Sequence, residues 1–172
     1  HPYFPYAARH LPSEFGTLLA EDGTILHWHL LKPAGFNPAR RYPAVVLVYG
    51  GPGVQMVQRR FGEMRSRLFA QLLAQRGYAV FALDNRGSSG RGRDFAAALH
   101  GRLGSVEVED QLRGVGHLRS LPWVDPSRIG VYGWSYGGYM ALLMMMRAPE
   151  LFAAGVSGAP VTDWRLYDTH YT

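Results

Sequence analysis

The stretch Arg128-Ile129-Gly130-Val131-Tyr132-Gly133-Trp134-Ser135-Tyr136-Gly137-Gly138-Tyr139-Met140-Ala141-Leu142-Leu143-Met144-Met145-Met146 decides the fold. It opens on a short apolar run of strand type and closes on an apolar run of helical length. Between them stands a Gly-x-Ser-x-Gly pentapeptide, Gly133 to Gly137. A serine at a sharp strand-to-helix turn has the geometry of a nucleophile elbow, with its hydroxyl presented above the sheet. Small residues on either side let strand and helix approach closely. The pentapeptide alone arises often by chance; the strand before it and the helix after it make Ser135 the candidate nucleophile.

Working outward, Ala44–Tyr49 and Tyr78–Leu83 are uninterrupted apolar runs, the pattern of strands covered on both faces. Ala153–Ser157 reads as a further strand, and Ile129–Tyr132 as the one that enters the elbow. Residues 63–76 place Met64, Leu68, Leu72 and Leu73 at helical spacing. Residues 106–121 read as a helix with Glu107, Glu109 and Asp110 in its first turn, where carboxylates suit the helix dipole. Gly16–Ala20 and Thr24–Leu31 flank an Asp22-Gly23 turn signal and predict a hairpin. Residues 1–15 read as an extended lead-in, 33–43 and 85–93 as loops, and the Met144–Met146 run as core packing. Strands alternating with helices predict an α/β protein with a mostly parallel sheet and helices on both faces. In such sheets function gathers at the carboxyl ends of the strands. Those ends carry Tyr49-Gly50-Gly51-Pro52-Gly53, Asp84-Asn85-Arg86-Gly87, Gly133-Trp134-Ser135 and Ser157-Gly158-Ala159-Pro160.

The 172 residues suffice for one domain with a substantial core. The net charge of +5 rests on 18 basic side chains, of which Lys32 is the one lysine. The arginines are scattered and form no basic face interleaved with aromatics, which argues against nucleic acid. Without cysteine, disulfides, thiol catalysis and thiolate metal sites are excluded. No apolar run approaches the length of a membrane span. The start at His1, with neither a methionine nor a signal peptide, reads as a processed or excised piece.

A serine hydroxyl needs a base to take its proton and donors to hold the oxyanion. In an elbow the amide after the serine supplies one donor, here that of Tyr136. Tyr49, at the end of an earlier strand, is either a second donor or a cap on the core. A triad of this type runs Ser, Asp or Glu, then His. Asp163 or Asp168 with His170 satisfies the order formally but leaves no room for separate strands to present the acid and the base. His27 and His29 share a strand face and lack a third ligand, so a structural role is expected and no metal or cofactor is implied. The Gly87–Gly92 loop lacks the Gly-Lys-Ser/Thr of a phosphate loop, and Arg86 is expected to brace the rim.

These segments together resemble the catalytic domain of the prolyl oligopeptidase family of serine peptidases, closest to its bacterial dipeptidyl peptidase IV branch. The matching residues are Val48–Gly53, Asp84–Ser88 with Arg91-Gly92, Leu103-Gly104 with Glu107–Gln111, Gly133–Met140, and Ala159–Trp164, in family order. The resemblance implies a partial α/β-hydrolase domain over residues 16–172, with 1–15 leading in from a β-propeller. It implies Ser135 as nucleophile, with the Tyr49 hydroxyl and the Tyr136 amide as oxyanion donors. It implies a small apolar pocket for proline walled by Tyr136, Val161, Trp164, Tyr167 and Tyr171. A proline ring offers nothing to hydrogen-bond, so an aromatic box is what selects it; helix-spaced core packing of residues 164, 167 and 171 is the alternative.

The resemblance further implies a triad acid and base beyond Thr172, a peptide substrate with penultimate proline or alanine, a homodimeric parent, and a periplasmic or secreted location. An acylaminoacyl or tripeptidyl peptidase and a non-catalytic binding homologue are the rival readings. By itself, the 172-residue piece is expected to be inactive and poorly stable, with an exposed sheet edge and incomplete final strands.

Overall fold

A computed structural model describes residues 2–59 and 64–171 of the chain. One six-stranded sheet organises them, in the order β1-β2-β4-β3-β5-β6. Its strands are β1 (Ser13–Leu19), β2 (Ile25–Leu31), β3 (Tyr42–Val48), β4 (Ala79–Asp84), β5 (Val124–Trp134) and β6 (Ala154–Gly158). The first pair is the expected antiparallel hairpin, with Leu19 opposite Ile25 across the Asp22-Gly23 turn. The Asp22 carboxylate accepts from the Thr24 amide at 2.9 Å, and Gly23 takes the left-handed φ of +85° that the turn needs. β2 joins β4 antiparallel, and β4, β3, β5 and β6 run parallel.

The helices are α1 (Phe4–Ala7), α2 (Met64–Gln75), α3 (Arg93–Ala97), α4 (Val106–Ser120) and α5 (Tyr136–Arg147). α4 and α5 cover one face, where Val46, Val48, Phe81, Leu83, Ile129 and Val131 meet Val108, Val115, Leu118, Met140 and Met144 in the larger core. α2 covers part of the other face, with Ala70 and Ala74 packed on Leu31, Leu47, Val80 and Ala82. β4 is buried along its whole length, as its unbroken apolar run requires.

Several local expectations change. The lead-in is not simply extended: Phe4–Ala7 form one helical turn, with Pro5 in its first turn. Residues 9–11 then dock on α2, where Gln71 pairs both ways with the Leu11 backbone at 2.8 and 2.9 Å. Residue 63 and the Met64 side chain fall outside the described residues. The buried stripe of α2 runs through Phe69, Ala70, Leu73 and Ala74, leaving Leu72 turned outward. Met146 is likewise exposed, so of the methionine run only Met144 and Met145 pack inward. Pro43 lies within β3 rather than in a loop. β5 starts five residues early because its pairing with β3 shifts register between Tyr42 and Ala44, accommodating Pro126 in an irregular stretch.

Candidate active site

The elbow forms where β5 ends and α5 begins. Ser135 sits between them with φ +59° and ψ −121°, a conformation that costs a non-glycine residue about 1–3 kcal/mol. Hydrogen bonds on both sides hold it there. Its amide donates to the Gly158 carbonyl at 2.9 Å, and its carbonyl accepts from the amides of Gly138 and Tyr139 at 2.9 and 3.1 Å. The small residues are required by contact. A Cβ at Gly133 would lie 1.9 Å from the Gly137 carbonyl oxygen, and one at Gly137 would lie 2.2 Å from that of Val48. The elbow is therefore wedged between the ends of β3 and β6.

That wedge sets Tyr49 and Tyr136 side by side, ring centroids 6.1 Å apart. Gly51 fits between them, since a Cβ there would meet Tyr136 Cγ at 2.6 Å and Tyr49 Cε1 at 2.9 Å. The Tyr136 ring continues into an aromatic cluster: Tyr139 at 5.4 Å, Trp164 at 5.3 Å and Tyr171 at 6.4 Å. Trp164 stacks on Tyr171 at 5.8 Å and 15°, and Tyr167 stands edge-on to both. Val161 is half-buried on the segment that leads from β6 to Trp164. The structure thus brings Ser135, Tyr49, Tyr136, Trp164, Tyr167 and Tyr171 to one rim. Tyr136 keeps only 2 % of its surface exposed, so the outward ring surface comes from its neighbours. Burial, and then the nearby Tyr49 hydroxyl, raise the pKa of the Tyr171 phenol, which keeps it a protonated donor.

Beneath the rim lies a polar brace on α4. Glu107, Asp110 and Gln111 are all buried, so the first two do more than suit the dipole of a helix start. Only Glu109 stays on the surface. Gln111 donates to Asn85 Oδ1 at 2.8 Å, and Asn85 donates to the Gly50 carbonyl at 2.9 Å, which pins the backbone next to Tyr49. Asp110 holds Arg86 through paired bonds of 3.0 and 2.8 Å, and Arg86 reaches Asp22 at 2.6 Å. Arg86 therefore braces the rim, as expected. Asp84, fully buried, accepts from the Met56 and Val57 amides and from Arg91, tying down the chain after Tyr49. The spacing i, i+3, i+4 on α4 was the available sign that these polar side chains share a face.

The acid–base order available within the chain is not assembled. Asp163 is engaged by Arg165, Asp168 accepts from the amides of His170 and Tyr171, and His170 is exposed. Among the described residues no hydrogen bond links either carboxylate or His170 to the Ser135 hydroxyl. His29 is buried, its pKa pushed down to about 4 chiefly by desolvation, and meets Phe15 edge-on. No group of three or more metal-ligating side chains occurs among the described residues. None of their helices is long and apolar enough to cross a membrane.

The model of the prolyl oligopeptidase family matches residues 65–172. Mouse and human dipeptidyl peptidase 8 are each 42 % identical over 163 residues, which is 94 % of this chain and 18 % of theirs. A Bacteroides ovatus protein solved as a candidate dipeptidyl aminopeptidase IV superposes with a TM-score of 0.88 at 47 % identity, over 98 % of this chain and 24 % of that one. Porphyromonas gingivalis dipeptidyl peptidase 4 gives 0.86 at 37 % identity, over 94 % of this chain and 22 % of its own. The chain thus spans about a quarter or less of the length of these relatives and carries part of an α/β-hydrolase domain. It belongs to the prolyl oligopeptidase family, on its dipeptidyl peptidase IV branch.

Proposed function

We propose that Ser135 is the nucleophile of a serine exopeptidase that, as the full-length protein, releases dipeptides from N-termini with proline or alanine in second place. The observation that carries this is the strained Ser135 backbone at the β5–α5 junction, next in the chain to Tyr136, whose ring lies beside Tyr49 and Trp164. Ser135 Oγ attacks the carbonyl that follows the second residue. The Tyr136 amide and the Tyr49 hydroxyl hold the oxyanion that forms, and donors aimed at that oxygen do most of the electrostatic work. Collapse expels the peptide amine and leaves an acyl-enzyme, which water then hydrolyses. Asp163 is held by Arg165, and Asp168 accepts from the amides of His170 and Tyr171, so neither is proposed as the carboxylate partner of the base. Val161, Trp164, Tyr167 and Tyr171, backed by the buried Tyr136 ring, form the box for the proline ring. A homodimeric parent in the periplasm or outside the cell is the matching biological setting.

Reporters carrying Gly-Pro, acyl-Ala or a tripeptide, offered to the full-length protein, test this reading. Preferential release from Gly-Pro supports it. Preference for acyl-Ala or the tripeptide replaces it with the acylaminoacyl or tripeptidyl reading. Turnover of none, with no covalent labelling of Ser135, leaves a binding homologue.

A further inference from the structure

We propose that Glu107 is a positioning residue that fixes the Tyr136 ring and thereby sets the preference for proline over alanine; this rests on the reading of Ser135 given above. Glu107 is fully buried. A buried carboxylate is costly unless its lone pairs are met by donors. Its Oε2 accepts from the Ser105 amide at 2.8 Å, and its Oε1 accepts from the Gly104 amide and from the Tyr136 hydroxyl, the latter at 2.7 Å. The ion pairs among the described residues do not include it. Two amides suffice to anchor the start of α4; the phenol is a third donor that this local anchoring does not need.

The phenol is held as strictly as the carboxylate. Burial, and then the charge of Glu107, raise the pKa of the Tyr136 hydroxyl, so it remains a protonated donor. A hydroxyl donating to a carboxylate makes a short bond roughly twice as strong as a neutral one. The Tyr136 backbone is fixed by the first turn of α5 and its hydroxyl by α4, so the ring between them cannot swing. Gly104 is itself clamped, with its carbonyl taking Arg147 at 2.6 Å. The spacing of the Tyr136 ring from Trp164 and Tyr171 is therefore set from the far end of the ring. Proline is told from alanine by fit alone, and a hydrophobic pocket discriminates by about 10–200-fold per methylene-scale difference. Such a margin is lost when a wall loosens.

The test uses Glu107→Gln, Tyr136→Phe and the double variant of the full-length protein, with kcat/KM for Gly-Pro and Gly-Ala reporters. Ser135 labelling by proline- and alanine-bearing phosphonates is measured alongside. The proline-to-alanine ratio should fall about tenfold in each single variant, the scale of losing one charge-assisted hydrogen bond. The double variant should fall no further than Tyr136→Phe, because that change already removes the contact that Glu107→Gln weakens by taking away the carboxylate charge. Tyr136→Phe leaves Glu107 with both amide donors, so it reports even where Glu107→Gln fails to fold. Equal losses on both reporters and both phosphonates, or an unchanged ratio, overturn the proposal. A wild-type protein that cleaves neither reporter overturns the exopeptidase reading instead, and the phosphonate ratio then decides on Glu107. If wild type takes neither phosphonate, both fall.

Discussion

Replacing Gly133 by alanine is the sharpest structural perturbation of the elbow. The added Cβ would lie 1.9 Å from the Gly137 carbonyl oxygen and 2.2 Å from its carbonyl carbon. Both are backbone atoms, so no side chain can rotate away. Relief requires the first turn of α5 to move off β5 by about an ångström, and overpacking of this kind costs about 1–3 kcal/mol or more. That turn has no slack, because Gly137 is lodged against the Val48 carbonyl and Tyr49 Cα. The displacement therefore reaches Ser135 and Tyr49 together, and a misplacement near 1 Å costs about 100-fold in rate. Gly116→Ala is the control: it is exposed on α4 with nothing within 4 Å of the added methyl. It should gain about 0.8–1 kcal/mol of helix stability and leave the site alone. The assay is fluorophosphonate labelling rate and denaturant unfolding of both full-length variants. Gly133→Ala labelling at the wild-type rate, with stability matching that of Gly116→Ala, refutes the wedge.

Tyr49→Phe should lower kcat by about 100- to 1,000-fold with little change in KM, since in the proposed mechanism the hydroxyl acts on the oxyanion rather than on the bound peptide; a KM effect alone would contradict this. Buried His29, with its pKa near 4 when folded, stays neutral while the unfolded chain protonates below its ordinary value of 6.5. Its contribution is flat above pH 6.5, falls by about 3 kcal/mol as pH drops to 4, and is flat below. The difference in unfolding free energy between wild type and His29→Phe should follow that window; a pH-independent difference would contradict the burial argument. Expressed alone, residues 1–172 should self-associate through the apolar hollow of about 410 Å³ (lined by Phe69, Leu73, Tyr132, Ala154 and the exposed Val156, among others) beside the open β6 edge. Sedimentation as a stable monomer would refute that.

The parallel core was legible because β3 and β4 are apolar on both faces, a pattern that few other arrangements produce. The elbow at Ser135 was legible because a strand, a small-residue turn and a helix sit in immediate succession. Helix phase was harder. Leu68 and Leu72 fit one stripe as well as Phe69, Ala70, Leu73 and Ala74 fit another, and only the sheet beneath α2 selects between them. The α4 brace was hidden for a different reason. Glu107 and Asp110 at a helix start look like surface charges favoured by the helix dipole. Their burial depends on Tyr136 and Arg86, which arrive from distant parts of the chain.

Covalent labelling of the full-length protein by a fluorophosphonate, with the modified peptide identified by mass, tests the central claim most directly. The label should fall on Ser135, disappear in Ser135→Ala, and be slowed by competing Gly-Pro peptide. Labelling of a different serine, or none on a folded protein, would contradict the assignment of Ser135 as the nucleophile.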